Sequence, residues 1–342
     1  MREGWIGQSD PHSPCMRPHG LGRTGLIVTP LGLGLAALGR PGYITLGREA
    51  DLGRDRSVAA MERRCHEVLT AAYDAGVRYV DAARSYGMAE TFLAAWLEGR
   101  RLPSTAMTVG SKWGYSYIGE WRLDAPVHER KDLSLATLRR QLSESRAILG
   151  GALDLYQIHS ATIESGVLED QPLLAELAQL AADGLVVGVT VTGPKQSDTI
   201  RRALDVTIDG ANPFRVVQAT WNLLEPSAAS ALAEAHDAGW GVIVKEVLAN
   251  GRLGADSGEQ LPQTVMDVAR ALNWPVEEVA LAGALANPWA DVVLSGAVTV
   301  QQVRRNREVL DRSIPAAYLQ LLVSAAEPPE QYWDKRRNLQ WT

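Results

Sequence analysis

Cysteine is almost missing from this chain: only Cys15 and Cys65 occur, far apart and without a CxxC spacing. That leaves nothing for a disulfide framework or a thiolate metal site to rest on, and suits a reducing, cytoplasmic setting. No apolar run approaches membrane-spanning length. The first twenty residues, "MREGWIGQSDPHSPCMRPHG", are polar and proline-broken, without the apolar segment of a secretion signal. Basic residues are outnumbered, 34 Lys and Arg against 40 Asp and Glu for a net charge of −6. A clustered cationic surface for nucleic acid is therefore not expected. No G-x-G-x-x-G follows the first strand-like run, which counts against a Rossmann dinucleotide fold.

What is present is an alternation. Short apolar runs are separated by longer amphipathic segments, beginning near "LIVTPLGLGLAALG". "MERRCHEVLTAAYDAG" puts Val68, Leu69 and Ala72 on one face and stops at Gly76; "VRYVD" follows as a strand. The pairing repeats through "TVGSK", "LDLYQIHS", "LVVGVTVTG", "FRVVQATWN", "WGVIVKEV" and "DVVLSG". About eight units in one unbroken array, with no linker, predict an α/β chain folded as a single (β/α)8 TIM barrel. Residues 1–24 are expected to be a mobile polar tail, 25–314 the barrel, and 315–342 an aromatic C-terminal segment. Trp333 or Trp341 in that segment could shape a pocket, or could pack elsewhere.

In such a barrel the strand C-termini share one mouth. The ionisable or polar residues placed there are Asp81, Lys112, His159, Gln218, Lys245 and Glu246, with Tyr86 one turn beyond Asp81. Each alone has an ordinary reading: a solvated acid, a surface amine, a satisfied core histidine. Together they suit carbonyl chemistry. An ammonium in an apolar mouth needs an anion, and Asp81 supplies one. A phenol beside that ammonium is expected to have a lowered pKa and so to serve as an acid. A histidine on the next strand could orient the same substrate oxygen.

Asp81, Tyr86, Lys112 and His159, in the contexts "DAARSYGMAE", "VGSKWG" and "DLYQIHS", resemble the Asp-Tyr-Lys-His tetrad of the aldo-keto reductases, from about Leu26 to Leu310. The resemblance implies a barrel that binds NADP(H) in extended form, with NAD(H) as the alternative. It also implies a small carbonyl or alcohol substrate and a tyrosine proton donor. Gln218 and Asn222 in "VQATWNLLE", and Gly296, Thr299, Gln302 and Asn306 in "SGAVTVQQVRRN", match its cofactor-binding segments. Thr299 could equally be a helix N-cap. Thr190, Lys245 and Leu248 occupy further cofactor positions, although this chain departs from the family there. Val191 follows Thr190 in place of the family's asparagine, and Lys245-Glu246 replaces an aromatic and a serine. Trp221 is one substitute ring face. Arg304 and Arg305 are the cations near the adenosine-phosphate loop. Trp113, Tyr115, Tyr117 and Trp121, in the loop after Lys112, are expected to wall the substrate pocket. The competing readings are a nicotinamide-binding sensor with little turnover, and a Schiff-base lyase using Lys112.

Overall fold

The computed structural model describes residues 16–254 and 261–342. Cys15 and the tail as far as that residue lie outside the described part. Eight parallel strands close into a barrel. They are β1 (Leu31–Gly34), β2 (Tyr79–Asp81), β3 (Thr108–Trp113), β4 (Leu155–Ala161), β5 (Val186–Val191), β6 (Val216–Thr220), β7 (Gly241–Lys245) and β8 (Val292–Ser295). Each pairs in parallel with its sequence neighbour, and β8 returns to β1 through Val293↔Leu31. This is the predicted (β/α)8 TIM barrel.

The crossover helices are α1 (Val58–Asp74), α2 (Ala89–Gly99), α3 (Leu135–Leu149), α4 (Gln171–Ala182), α5 (Gln196–Leu204), α6 (Ala229–Asp237), α7 (Val276–Leu285) and α8 (Val300–Val309). Their starts follow from local chemistry. Ser57, Ser134 and Asp170 each accept a hydrogen bond from a backbone N–H of the first turn of α1, α3 and α4. The face read from the sequence on α1, Val68, Leu69 and Ala72, is buried; on α3 Leu138 and Leu142 are buried, while Leu135 and Ile148 at the same helical spacing are partly buried.

Inside the barrel the side chains form layers. Tyr79, Leu155, Val216, Ile243, Val292 and Leu294 make an apolar floor. A tyrosine fits there because the next strand carries Gly110, where an added Cβ would lie 2.3 Å from the Tyr79 hydroxyl. Above the floor come polar side chains, among them Asp81, Lys112 and Gln218, all buried. The change from apolar to polar along β2, β3, β6 and β7 creates a reactive mouth over a solid base.

The described end of the predicted tail is ordered. His19–Gly20 pairs antiparallel with Ile27–Val28. Leu21 and Val28 are fully buried against the barrel floor, and His19 Nε2 donates to the Asp291 carbonyl (3.0 Å). The expectation of a tail through residue 24 is thus corrected for His19 to Leu21: the buried Leu21, beside a strand pair with Ile27–Val28, gains apolar burial that a polar tail would lack.

A second hairpin, Tyr115–Tyr117 with Glu129–Lys131, rises from the end of β3. The C-terminal segment also comes to the mouth. Helix α9 (Pro329–Arg337) buries Tyr332 and Trp333. Beyond it, Thr342 exchanges two backbone hydrogen bonds with Tyr43, each 3.1 Å.

Candidate active site

The strand ends bring Asp81, Lys112 and Tyr86 into direct contact. Lys112 Nζ donates to Asp81 Oδ2, to the Ala82 carbonyl (2.9 Å) and to the Tyr86 hydroxyl oxygen (3.2 Å). All three ammonium hydrogens are therefore used, and the amine has no lone pair to offer a carbonyl. This geometry counts against the Schiff-base reading. Because Lys112 donates to the phenol oxygen, the phenol's own hydrogen is free for the cavity.

Asp81 is held from its other side. Its Oδ1 accepts from Gln218 Nε2 (2.9 Å) and from the Tyr79 hydroxyl (3.2 Å). A buried carboxylate with three donors from three strands is fixed in place and remains a counter-ion. Gln218, matched from sequence to a cofactor contact, thus has its amide nitrogen engaged by the protein.

The expected lowering of the Tyr86 pKa is corrected. Burial raises it well above the usual phenol value, and the Asp81 carboxylate raises it further; Arg40 acts in the opposite direction. Asp81 offsets the ammonium that was expected to dominate. Tyr86 is consequently a protonated phenol, the loaded form of an acid.

His159 projects from β4 where the strand is irregular. Ser160 has φ +57° and the pairing with β5 shifts between Ile158 and Ala161. Thr190 Oγ1 accepts the Ser160 N–H at 2.7 Å, which pins the bulge. The imidazole stands edge-on to Tyr86, with ring centroids 5.6 Å apart, and 4.9 Å from Tyr115. Burial first, then the Lys112 and Lys245 charges, hold its pKa well below the ordinary histidine value. It is a neutral imidazole whose buried Nδ1 has no partner.

These groups open into a cavity of about 700 Å³ that runs from Asp81, Tyr86 and His159 to Gly296, Gln302, Arg305 and Asn306. Thr190, Gln218, Lys245 and Leu248 line it between those ends. Thr299 does not: its hydroxyl caps α8 by accepting from Gln302 N (3.2 Å). Gln302 Oε1 accepts from Val298 N (2.8 Å), while its Nε2 donates to Asp51 (2.7 Å). Asn306 donates to Ser295 Oγ (2.7 Å). Arg305 lines the cavity; Arg304 does not.

Of the four aromatics assigned to the pocket, only Tyr115 lines it. Trp113 is fully buried in the core, because as the last residue of β3 it points oppositely to Lys112. Trp121 packs away from the cavity against the core, with its indole N–H on the Arg56 carbonyl (2.7 Å) and its ring edge-on to the buried Phe92. Tyr117 also lies outside the lining, two register pairs beyond Tyr115 on the hairpin. Trp221 packs edge-on to Trp289 and is no substitute ring face.

Sequence reasoning missed part of the wall. Arg40 and Tyr43 enter from the loop after β1, and Glu129 from the β3 hairpin. Arg40 Nη1 donates to the Ser85 carbonyl (2.9 Å) and to Glu129 (2.7 Å), and its guanidinium lies 5.1 Å from the Tyr86 ring centroid and 4.7 Å from that of Trp341. Gly39 permits this approach: a Cβ there would meet the Tyr86 carbonyl at 2.2 Å. The available signal was "LGRPGY", a glycine, arginine and aromatic just past a strand end. Trp341 lines the cavity and stacks on His128 at 4.1 Å. Arg336 of α9 grips both oxygens of Glu246.

Sequence comparison agrees with this constellation. The profile of the Aldo/keto reductase family matches residues 30–327, and the chain belongs to that family. A D-threo-aldose 1-dehydrogenase from a Pseudomonas species is 26% identical over 289 residues, covering 73% of this chain and 84% of its own. An uncharacterized oxidoreductase of Bacillus subtilis (strain 168) is 24% identical over 349 residues, covering 91% and 98%. Among solved structures, an aldo-keto reductase from Bacillus halodurans in its holo form superposes with a TM-score of 0.67 at 22% identity, over 92% of this chain and 97% of that one. The glycerol dehydrogenase of Gluconobacter oxydans gives 0.66 at 20% identity, over 92% and 95%. The protein is accordingly an oxidoreductase of carbonyl and alcohol groups.

Proposed function

We propose that this chain interconverts an aldehyde or ketone and an alcohol with NADP(H), and that Tyr86 is its general acid and base. The observation carrying the proposal is the Tyr86–Lys112–Asp81 chain of contacts opening beside His159. The cavity suits a dinucleotide in the chemistry of its donors: amides, hydroxyls and Lys245 near the tetrad, and the start of α8 with Arg305 at the far end. When bound, the nicotinamide supplies or accepts the hydride at the carbonyl carbon.

The residues of this chain handle the oxygen. His159, neutral and facing the cavity, orients a carbonyl oxygen by a hydrogen bond without competing for the proton. Tyr86 gives its hydrogen to that oxygen as negative charge develops there. The resulting phenolate is stabilised by the Lys112 ammonium 3.2 Å away, which Asp81 holds in place. In the oxidative direction the same proton returns to Tyr86. Tyr43, Tyr115 and Trp341 give the walls apolar surface and exclude water.

Arg305, exposed at the adenosine end, supports NADP(H). Asp51 and Glu277 line the same end and support NAD(H) as the second reading, since a carboxylate suits a ribose hydroxyl and repels a phosphate. Titration with NADPH and NADH, on the wild type and Arg305→Ala, separates them. Turnover is tested on a panel of aldehydes, ketones and aldoses, the last chosen from the likeness to the aldose dehydrogenase. Cofactor binding without oxidation or reduction of any member would replace this reading with a nicotinamide sensor.

A further inference from the structure

The catalytic end of the cavity carries more positive charge than its carboxylates balance. Lys112 is paired with Asp81, Arg40 with Glu129, and Arg336 with Glu246. Lys245 is left over. Its side chain is 15% exposed, and its direct hydrogen bond is to the Thr220 hydroxyl at 2.8 Å. Thr220 in turn donates to Glu246 (3.0 Å), whose nearest oxygen is 4.0 Å from Lys245 Nζ. Both oxygens of that carboxylate are already gripped by Arg336, so Lys245 has only a shared and distant claim on it.

Strand register places Lys245 inside the mouth. Thr220 is its partner on β6 and Ile243, two residues earlier on the same face, belongs to the barrel floor. Its ammonium lines the cavity on the side of Gln218 and Asp81. Among the described residues this largely buried cation makes one direct hydrogen bond and shares its nearest carboxylate with Arg336, an arrangement that is costly unless the ligand completes it.

We propose that Lys245 anchors an anionic oxygen group, carboxylate or phosphate, on the ligand that fills the catalytic end of this cavity. The inference rests on reading that cavity as the active site of the reductase. The site is electrostatic: a point charge with rotatable donors, tolerant of either anion's geometry. Burial depresses the Lys245 pKa to about 8; Glu246 and Asp81 act upward, while Arg336 and Lys112 reinforce the depression. His159 and the phenols of Tyr43, Tyr86 and Tyr115, which also line the cavity, are neutral. The anchor is therefore charged below about pH 8, and anion affinity falls as pH rises through that value.

The anion has two sources, the substrate or the cofactor's phosphates, and binding measurements on the full chain distinguish them without turnover. Succinate is titrated onto the NADPH-saturated protein, and NADPH alone onto the free protein, by tryptophan fluorescence. Wild type, Lys245→Met and Lys245→Arg are compared. For a substrate-borne carboxylate, Lys245→Met weakens succinate about tenfold and leaves NADPH within about twofold. For a cofactor-borne phosphate, NADPH weakens about tenfold and its salt dependence shrinks. In either case Lys245→Arg restores most of the affinity, which excludes a folding defect as the cause. If Lys245→Met changes neither ligand by more than about twofold, the proposal is overturned. Because none of these readouts needs a reaction, failure of the carbonyl panel would leave this result standing, and the reverse.

Discussion

The Tyr86 hydroxyl accepts a hydrogen bond from Lys112 at 3.2 Å, while burial and Asp81 hold the phenol protonated. The contact thus stabilises a charge that forms only when the proton leaves. Tyr86→Phe is expected to lower kcat by about 10²- to 10⁴-fold, the range for a positioned acid, with the cofactor Kd changed little. Pre-steady-state turnover and fluorescence titration on the same preparation check both halves.

Asp81→Asn removes the counter-ion but keeps the shape. Lys112 is then a buried ammonium without an anion, and breaking such a pair costs about 3–5 kcal/mol. A lowered Tm together with lost turnover is expected. Gln218→Leu, which removes one donor to Asp81 and leaves the pair intact, should show a smaller loss of both. Equal effects of the two substitutions would contradict the arrangement.

Gly110→Ala tests the floor beneath the site. The new methyl would collide with the Tyr79 hydroxyl, and the resulting strain is expected to cost about 1–3 kcal/mol or more. Tyr79 also donates to Asp81, so activity should fall with stability. Gly110→Ala combined with Tyr79→Phe should recover stability in thermal melts.

His159 is expected to stay neutral well below pH 6.5, since burial and neighbouring cations disfavour its proton. In the unfolded chain it binds a proton near pH 6.5, so stability is unaffected above that value and falls below it. Imidazole NMR shifts followed through this range should show no titration of His159 in the native state at about pH 6.5.

Glu246 has the same sign of linkage in a more acidic window. The Arg336 and Lys245 charges hold its pKa at about 2 against an ordinary 4.5. Its stabilising contribution is complete above 4.5 and is lost as pH falls through about 2. Glu246→Gln is expected to destabilise the fold near neutrality by about 2 kcal/mol, discounted because Arg336 is partly exposed and read as a lowered Tm, and the gap to wild type should close in acid.

The barrel was legible because parallel strands covered by helices produce a repeating apolar alternation. The tetrad was legible because strand ends in such a barrel converge. Trp113 was misplaced since direction at a strand end depends on its two-residue period, and its neighbour Lys112 already faced inward. The buried Leu21 was obscured by the polar and glycine residues around it. Arg40 and Trp341 belong to loops whose facing is decided by packing at long range, which no local pattern encodes. The Tyr86 pKa was misjudged by counting the ammonium and not burial and its partner anion.

The hydrogen-bonded contact of Tyr43 and Arg48 with Thr342 has a consequence for synthesis. Arg48 donates to the Thr342 carbonyl (3.0 Å) across a separation of 294 residues, and Thr342 also reaches the Thr45 carbonyl (3.1 Å). Such contacts close a loop of 294 residues and form only after Thr342 has been synthesised. The eight strands can assemble earlier, so a nascent chain passes through a stage with a complete barrel and an unfinished rim.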